Sequence, residues 1–265
     1  DWAVSSGLAQ NATGGSPAGT LSQFYAHSVL SAFQDADGAP IGGTGLNGSY
    51  QWTYVAAFQE QIISNVGGNI RFASTGGGTN FFRIYFDNAL NSSALAGTGF
   101  NDGTLILEGI ILPSTDPGGN SNFNVTGGPE ALDQFGANNY PGQQSVTGTG
   151  GGNISVQITD FDASFFTGIT DGDIFQLAFD TQQNLPFDQT NPSGCFWNGA
   201  AFEAGAGGAA CGGSTLGAIN GQSGPNTEIQ TDSSTSFLVE VPEPGSLLLL
   251  GAGLLGLGTV LRRKA

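Results

Sequence analysis

Methionine is absent from the 265 residues, histidine occurs once, cysteine twice, and lysine and arginine together only five times. Each scarcity closes off a class of function. With His27 as the one histidine, no G-x-S-x-G elbow and two cysteines better used together, nucleophilic hydrolysis has no assembled machinery. The same shortage of soft ligands, with no C-x-x-C spacing, argues against zinc. Three of the five basic residues, Arg262, Arg263 and Lys264, stand at the C-terminal end, so Arg71 and Arg83 face nearly all of the acids alone. At a net charge of −16 such a chain repels nucleic-acid phosphates and anionic lipid headgroups, and no nucleic-acid partner is expected. Asp1 is not an initiator and no basic, then apolar, leader opens the chain. That start is read as a removed signal peptide, with a fragment boundary as the alternative.

Glycine, asparagine, serine and threonine take the place of the missing charge, which implies many turns and few solvated helices. Cys195 and Cys211 bracket an Ala- and Gly-rich stretch that would be floppy unless closed, so an exported chain is expected to bond them. For a loop of this length the entropic gain is about 3 kcal/mol.

Strand patterns recur between residues 49 and 182. Tyr50, Trp52 and Tyr54 alternate with Gln51 and Thr53; Phe82, Ile84 and Phe86 with Arg83 and Tyr85; Ile154, Val156 and Ile158 with Ser155 and Gln157. Thr104–Leu112 and Ile174–Phe179 are more continuously apolar and suit strands buried on both faces. Leu21–Phe33 fits either a helix or two short strands. Residues 186–234 read as a long, Gly/Asn-rich, disulfide-pinned loop region, after which Phe237, Val239 and Val241 alternate as a last strand. The expected fold is mainly β, an antiparallel β-sandwich-like ectodomain over residues 1–240, followed by a tail at 241–265 with a single transmembrane helix.

Among candidate sites, Asp35 and Asp37, Asp160 and Asp162, and Asp171 and Asp173 set carboxylates two apart beside turns, a spacing that calcium loops use and that solvated turns also produce. No cofactor other than calcium is suggested. None of Glu60, Glu108, Glu130 or Glu203 stands in a recognisable catalytic context, and no enzymatic activity is expected. A groove lined by Trp52, Trp197, Tyr50 or Tyr140 would point instead to sugar binding. The N-x-[ST] sequons at Asn11, Asn47, Asn91, Asn124 and Asn153 are expected by chance in this composition.

The most specific signal is the tail. Val241-Pro-Glu-Pro-Gly-Ser246 leads into an uncharged stretch, 246–261, and then Arg262-Arg263-Lys264. Sixteen residues at about 1.5 Å each fall somewhat short of a ~30 Å hydrocarbon core, a deficit that local thinning and snorkelling of the basic end can cover. Basic residues stay on the cytoplasmic side, so the helix is expected in the membrane with its C-terminus inside and the acidic domain outside. Pro242, Glu243 and Pro244, the glycine-rich apolar helix and the Arg-Arg-Lys end together resemble the PEP-CTERM sorting signal. The resemblance implies export, recognition of Pro-Glu-Pro by a membrane-embedded exosortase, and a cell-surface or extracellular-matrix destination.

The segments Phe81-Phe-Arg-Ile-Tyr-Phe-Asp87 and Leu95–Glu108, with Phe165-Phe166, further resemble the flocculation-associated subgroup of these proteins, implicated in floc and biofilm structure and in retaining exopolysaccharide. On both counts the expected function is that of a non-catalytic surface or matrix protein, with exopolysaccharide or self-association as its partner. A self-assembling filament subunit or accessory subunit of a membrane complex, and a carbohydrate-binding module or secreted hydrolase, are the alternatives.

Overall fold

The computed structural model describes residues 1–206, 211 and 216–237. The helix expected at 246–261, the Pro-Glu-Pro motif and the basic end therefore lie outside the described residues, as do Val239 and Val241 of the expected last strand.

Among the described residues thirteen strands follow one another: β1 (Ser5–Gln10), β2 (Leu21–Val29), β3 (Gln51–Val66), β4 (Asn69–Ser74), β5 (Phe81–Asp87), β6 (Thr104–Ile111), β7 (Ser121–Ala131), β8 (Gln144–Phe161), β9 (Ile174–Gln183), β10 (Cys195–Trp197), β11 (Phe202–Ala204), β12 (Ile219–Asn220) and β13 (Thr227–Thr235). Eleven of them form one sheet, and that sheet closes on itself. The order β2-β1-β13-β9-β8-β6-β5-β3 returns to its start because β3 also pairs with β2 from Leu21↔Gln61 to Val29↔Thr53. The expected sandwich of two sheets is thus a closed antiparallel barrel, in which pairing satisfies the edges that an open sheet would expose.

Two long strands make closure possible. The N-terminal part of β3, Gln51–Ala57, pairs with β5, and its C-terminal part, Glu60–Val66, pairs with β4. In the same way β8 pairs with β6 through Val156–Phe161 and with β7 through Gln144–Gly152. The gap between β3 and β8 is bridged by β5–β6 at one end of the barrel and by β4–β7 at the other.

Large apolar side chains on alternate residues fill the interior. Trp52, Tyr54, Ala56 and Phe58 of β3 point inward with Phe82, Ile84, Ile154, Val156, Phe175 and Leu177. Tyr54 stacks on Phe82 at 5.4 Å and meets Trp2 edge-on at 4.8 Å, while Phe82 meets Phe175 edge-on at 5.4 Å. Such pairs add about 0.5–1.5 kcal/mol each beyond their burial. Toward the other end Ile62, Ile70, Phe72, Phe123 and Val146 form a separate cluster. There Gly148 is required, because a Cβ at that position would collide with the ring of Phe123.

The outward face of β3 is buried as well. Val55, Ala57, Tyr25, Phe81 and Tyr85 lie beneath an outer layer that carries Phe100, Phe187, Phe196 and Leu216. Gln51 and Thr53, the polar members of the alternation, fasten this layer: Gln51 Nε2 donates to Asn91 Oδ1 (3.1 Å), Ser92 Oγ donates to Gln51 Oε1 (2.8 Å), and Thr53 Oγ1 donates to Phe100 O (2.8 Å). The Cys195–Cys211 disulfide belongs to the same layer, with a Cα–Cα distance of 5.8 Å. Gly97, at φ +71°, packs directly against the Cys195 carbonyl and leaves no room for a side chain.

Several expectations are corrected. Leu21–Val29 is one nine-residue strand rather than a helix or two strands. Residues 186–234 are not simply a loop: they hold β10, β11 and β12, and β13 is a full member of the barrel between β1 and β9. The final described strand ends at Thr235, before Phe237. Neither β6 nor β9 is buried on both faces. The outer layer does not reach them, and Leu105, Ile110 and Ile174 are exposed.

Replacing Phe82, fully buried between Tyr54 and Phe175, by alanine is expected to cost about 3–5 kcal/mol. Chemical denaturation followed by near-UV circular dichroism checks this, and a loss under about 1 kcal/mol would contradict the packing described.

Candidate functional site

The residues singled out in the sequence do not converge. Asp35 Oδ1 accepts from the amides of Asp37 (3.0 Å) and Ala39 (2.9 Å), closing its own turn. Asp162 Oδ1 accepts from the amide (2.8 Å) and hydroxyl (2.6 Å) of Ser164, bonds that hold its carboxyl below the usual range. Asp173 Oδ2 accepts from Thr170 N at 2.8 Å. Asp160 and Asp171 are exposed at the two ends of the β8–β9 connection. Among the described residues no three His, Cys, Asp or Glu side chains gather as a metal cluster would require.

Of the aromatic residues, Trp52 and Tyr50 are interior, Trp197 packs edge-on against Phe202 (5.3 Å), and Tyr140 Oη donates to Pro192 O (3.3 Å). They share no groove. Glu108 pairs with Arg83 Nε at 2.6 Å, and Glu203 accepts from Gln10 Nε2 (3.1 Å) and Asn198 Nδ2 (2.6 Å).

Folding does bring a serine to the single histidine. Ser193 Oγ and His27 Nε2 are 2.9 Å apart, and Ser193 Oγ also donates to Ala94 O at 2.6 Å. A hydroxyl has one proton. Since a carbonyl can only accept, that proton is committed to Ala94, and His27 Nε2 must be the donor to Ser193. This is the reverse of the arrangement in which an imidazole removes a serine proton. His27 is also sandwiched between Phe100 (4.1 Å) and Phe196 (4.9 Å), and desolvation lowers it to about 3, so the ring is neutral. The contact anchors two segments of the outer layer to β2.

Beside it, Glu228 Oε1 accepts from Ser193 N at 2.6 Å. Oε2 is buried with no hydrogen-bond partner among the described residues, and desolvation pushes the carboxyl up to about 8 despite the opposing pull of the Ser193 amide and, less strongly, the Ser6 hydroxyl and Ala206 amide.

The open feature of the surface lies elsewhere. Across five strands, outward-facing positions fall into register: Arg71 on β4 opposite Asn122 on β7, Asn122 opposite Gly151 on β8, Gly151 opposite Asp180 on β9, and Asp180 opposite Asp232 on β13. A neighbouring row runs Asn69–Asn124–Thr149, and Asn153 and Ser234 border the platform. Together they line an open groove of about 930 Å³. Gly151 is its floor. A Cβ there would stand 2.6 Å from Asp180 Oδ1, so the missing side chain creates the depression. Amide, hydroxyl and carboxylate groups dominate the lining, with Arg71 at one end and the carboxylates at the other. Asp180 and Asp232 face each other as like charges, which costs stability in an isolated sheet. The sequence gives little sign of this groove. Its residues are the polar halves of five alternations scattered from 69 to 234, and only their polarity at strand positions hints at a shared face.

A pH dependence follows from the buried groups. Glu228 rises to about 8 and Glu60 to about 7 from 4.5, so the stability they contribute is whole below 4.5 and is lost as pH climbs through those values. His27 falls to about 3 from 6.5, so its contribution is whole above 6.5 and is lost as pH drops toward 3. The melting temperature is therefore expected to rise as pH falls from 8 to about 5 and to drop again below about 4. Glu228→Gln should flatten the limb above pH 6.5. A differential scanning fluorimetry series with its maximum above pH 7 would contradict this.

Comparison with known proteins bears on the C-terminal part of the sequence. No curated protein and no solved structure matches the chain. The family model of the PEP-CTERM protein-sorting motif matches residues 240–264. The chain thus carries a PEP-CTERM sorting signal, the mark of an exported, cell-surface-directed protein that exosortase processes.

Proposed function

We propose that this chain is a non-catalytic surface or matrix protein whose barrel binds an uncharged exopolysaccharide across the Arg71–Asn122–Gly151–Asp180–Asp232 platform, with a role in floc or biofilm structure. The observation that carries the reading is the groove itself: a row of amide, carboxylate and guanidinium groups over a glycine floor, on a domain delivered outside the cell. Sugar hydroxyls are both donors and acceptors, and such a row offers both at strand spacing of about 4.8 Å. Removing a Cβ at Gly151 lets a ring approach the backbone. The net charge of −16 disfavours anionic polymers and leaves neutral ones.

Sheet closure favours this reading over the filament alternative. A ring of paired strands offers few free edges on which a second copy could add.

If the platform binds polysaccharide, the double variant Asn122→Ala, Asp180→Ala should weaken binding to exopolysaccharide purified from the host by at least about tenfold, or roughly 1.4 kcal/mol. Both side chains are exposed, so the melting temperature should move by no more than about 2 °C. Affinity electrophoresis through the polymer checks it. Equal retardation of variant and parent, or none of either, would sink the proposal.

A further inference from the structure

The barrel has a second, enclosed feature at the end bridged by β4 and β7. Beyond the main aromatic core the interior opens into a small chamber walled by Phe24, Phe72, Phe123, Phe179 and Ile229, with about 50 Å³ of free space. Outside it lies a vestibule of about 270 Å³, which shares Gly14, Val125, Val146 and Gly221 with the chamber and is otherwise bordered largely by glycine, including Gly68, Gly127 and Gly128. The rim is tight. A Cβ on Gly221 would stand 2.7 Å from Val146 Cγ2, and one on Gly14 would stand 3.3 Å from Val125 Cγ2, so side chains there would narrow the mouth.

One charged residue lines this apolar chamber. Glu60 occupies an inward position of β3 between Phe58 and Ile62 and is 5% exposed. Ser121 Oγ donates to its Oε1 at 2.6 Å, and among the described residues no other side-chain hydrogen bond reaches the carboxyl. The barrel does not need a carboxyl here. Leucine would extend the neighbouring Ile62–Ile70–Phe72 cluster without the desolvation cost that a buried carboxyl carries. A water-sized space, a carboxyl held by one side-chain donor and a largely apolar wall, with Thr13, Asn122, Thr181 and Thr227 as its other polar members, form a pocket with Glu60 as its one charged anchor.

We propose that this glycine-rimmed end of the barrel binds a small linear amphiphile, its aliphatic chain held among the phenylalanines and its hydrogen-bond-donating head, a primary amine or hydroxyl, seated on Glu60. The chamber accepts the head and first carbons, and the chain runs out through the vestibule. Above about pH 7, where Glu60 is ionised, a carboxylate head is rejected because it would bring a second acceptor against Glu60 with no donor between them.

The test is titration of the full chain, at a pH about one unit above that at which Glu60 ionises, with n-alkylamines, n-alkanols and n-alkanoates of two to six carbons. Isothermal calorimetry gives affinity, and methyl chemical shifts of Ile70, Val125, Val146 and Ile229 give location. Hexylamine and hexanol are expected to bind saturably, gaining about three- to fourfold per added methylene. Hexanoate should bind at least about tenfold more weakly. Glu60→Gln should cut hexylamine affinity about tenfold and leave hexanol within about threefold, because an amide oxygen still accepts a hydroxyl. Ala12→Phe, which places a ring in the chamber from its wall, should abolish both. The proposal is overturned by the absence of saturable binding to the parent chain, by hexanoate binding as well as hexylamine, or by methyl shifts that survive in Ala12→Phe. Should Ala12→Phe fail to fold, the head-group order and the Glu60→Gln split decide alone.

Discussion

Closure of the sheet through β3 is the constraint on which the rest of the molecule depends. This strand pairs with β2 along one edge and with β5 and then β4 along the other, and β8 repeats the device on the opposite wall. A strand that changes partner partway along must be long, and these two are the longest in the fold at 16 and 18 residues. Register shifts between Ile62 and Ser64 on β3, and between Glu108 and Gly109 where β6 meets β8, relieve the strain of bending the sheet into a ring. Once the ring is closed, inside and outside are fixed for every residue, because side chains alternate with a period of two.

That division sets where chemistry can occur. Inward positions are spent mostly on aromatic and aliphatic packing, except along β13, where Ser233 and Thr235 bond inward-facing rings, and at the β4–β7 end, where Glu60 and a small void interrupt it. Outward positions split in two. Over β2, β3, β5 and the N-terminal part of β13 they are covered by the disulfide-bonded layer, which is tied down by Gln51, Thr53 and Glu228 and which engages His27, the one histidine, in a purely structural contact with Ser193. Around Asn122, Gly151, Asp180 and Asp232, on β7, β8, β9 and the C-terminal part of β13, and at Arg71 on β4, they remain open and form the platform. A buried serine–histidine contact and an exposed polar groove thus arise from the same alternation, distinguished by whether a second layer lies above.

The strands at 50–54, 82–86 and 154–158 were legible because large apolar residues alternate with polar ones there. Leu21–Val29 was ambiguous because both of its faces are buried, with Phe24 and Ala26 inside and Tyr25 and His27 under the outer layer, so no clean period survives. Thr227–Thr235 was hidden for another reason. Several of its inward residues are polar, with Ser233 bonded to Tyr54 Oη (3.0 Å) and Thr235 to Trp2 Nε1 (3.0 Å), so it lacks the apolar stripe by which strands are recognised. The platform could not be read at all without the register, which joins residues as distant as Arg71 and Asp232. The sorting signal was fully legible, since it is a linear motif that depends on no tertiary contact.

The sorting signal marks the chain for export, and on the proposed reading the groove is the surface that meets a polymer there. Side-chain amide and backbone resonances recorded while oligosaccharides from the host's own exopolysaccharide are added test this union most directly. The account predicts saturable shifts at Asn122, Asn124, Thr149, Gly151 and Asn153, with the outer layer around His27 unmoved. Shifts confined to the outer layer, or none at millimolar sugar, would contradict it.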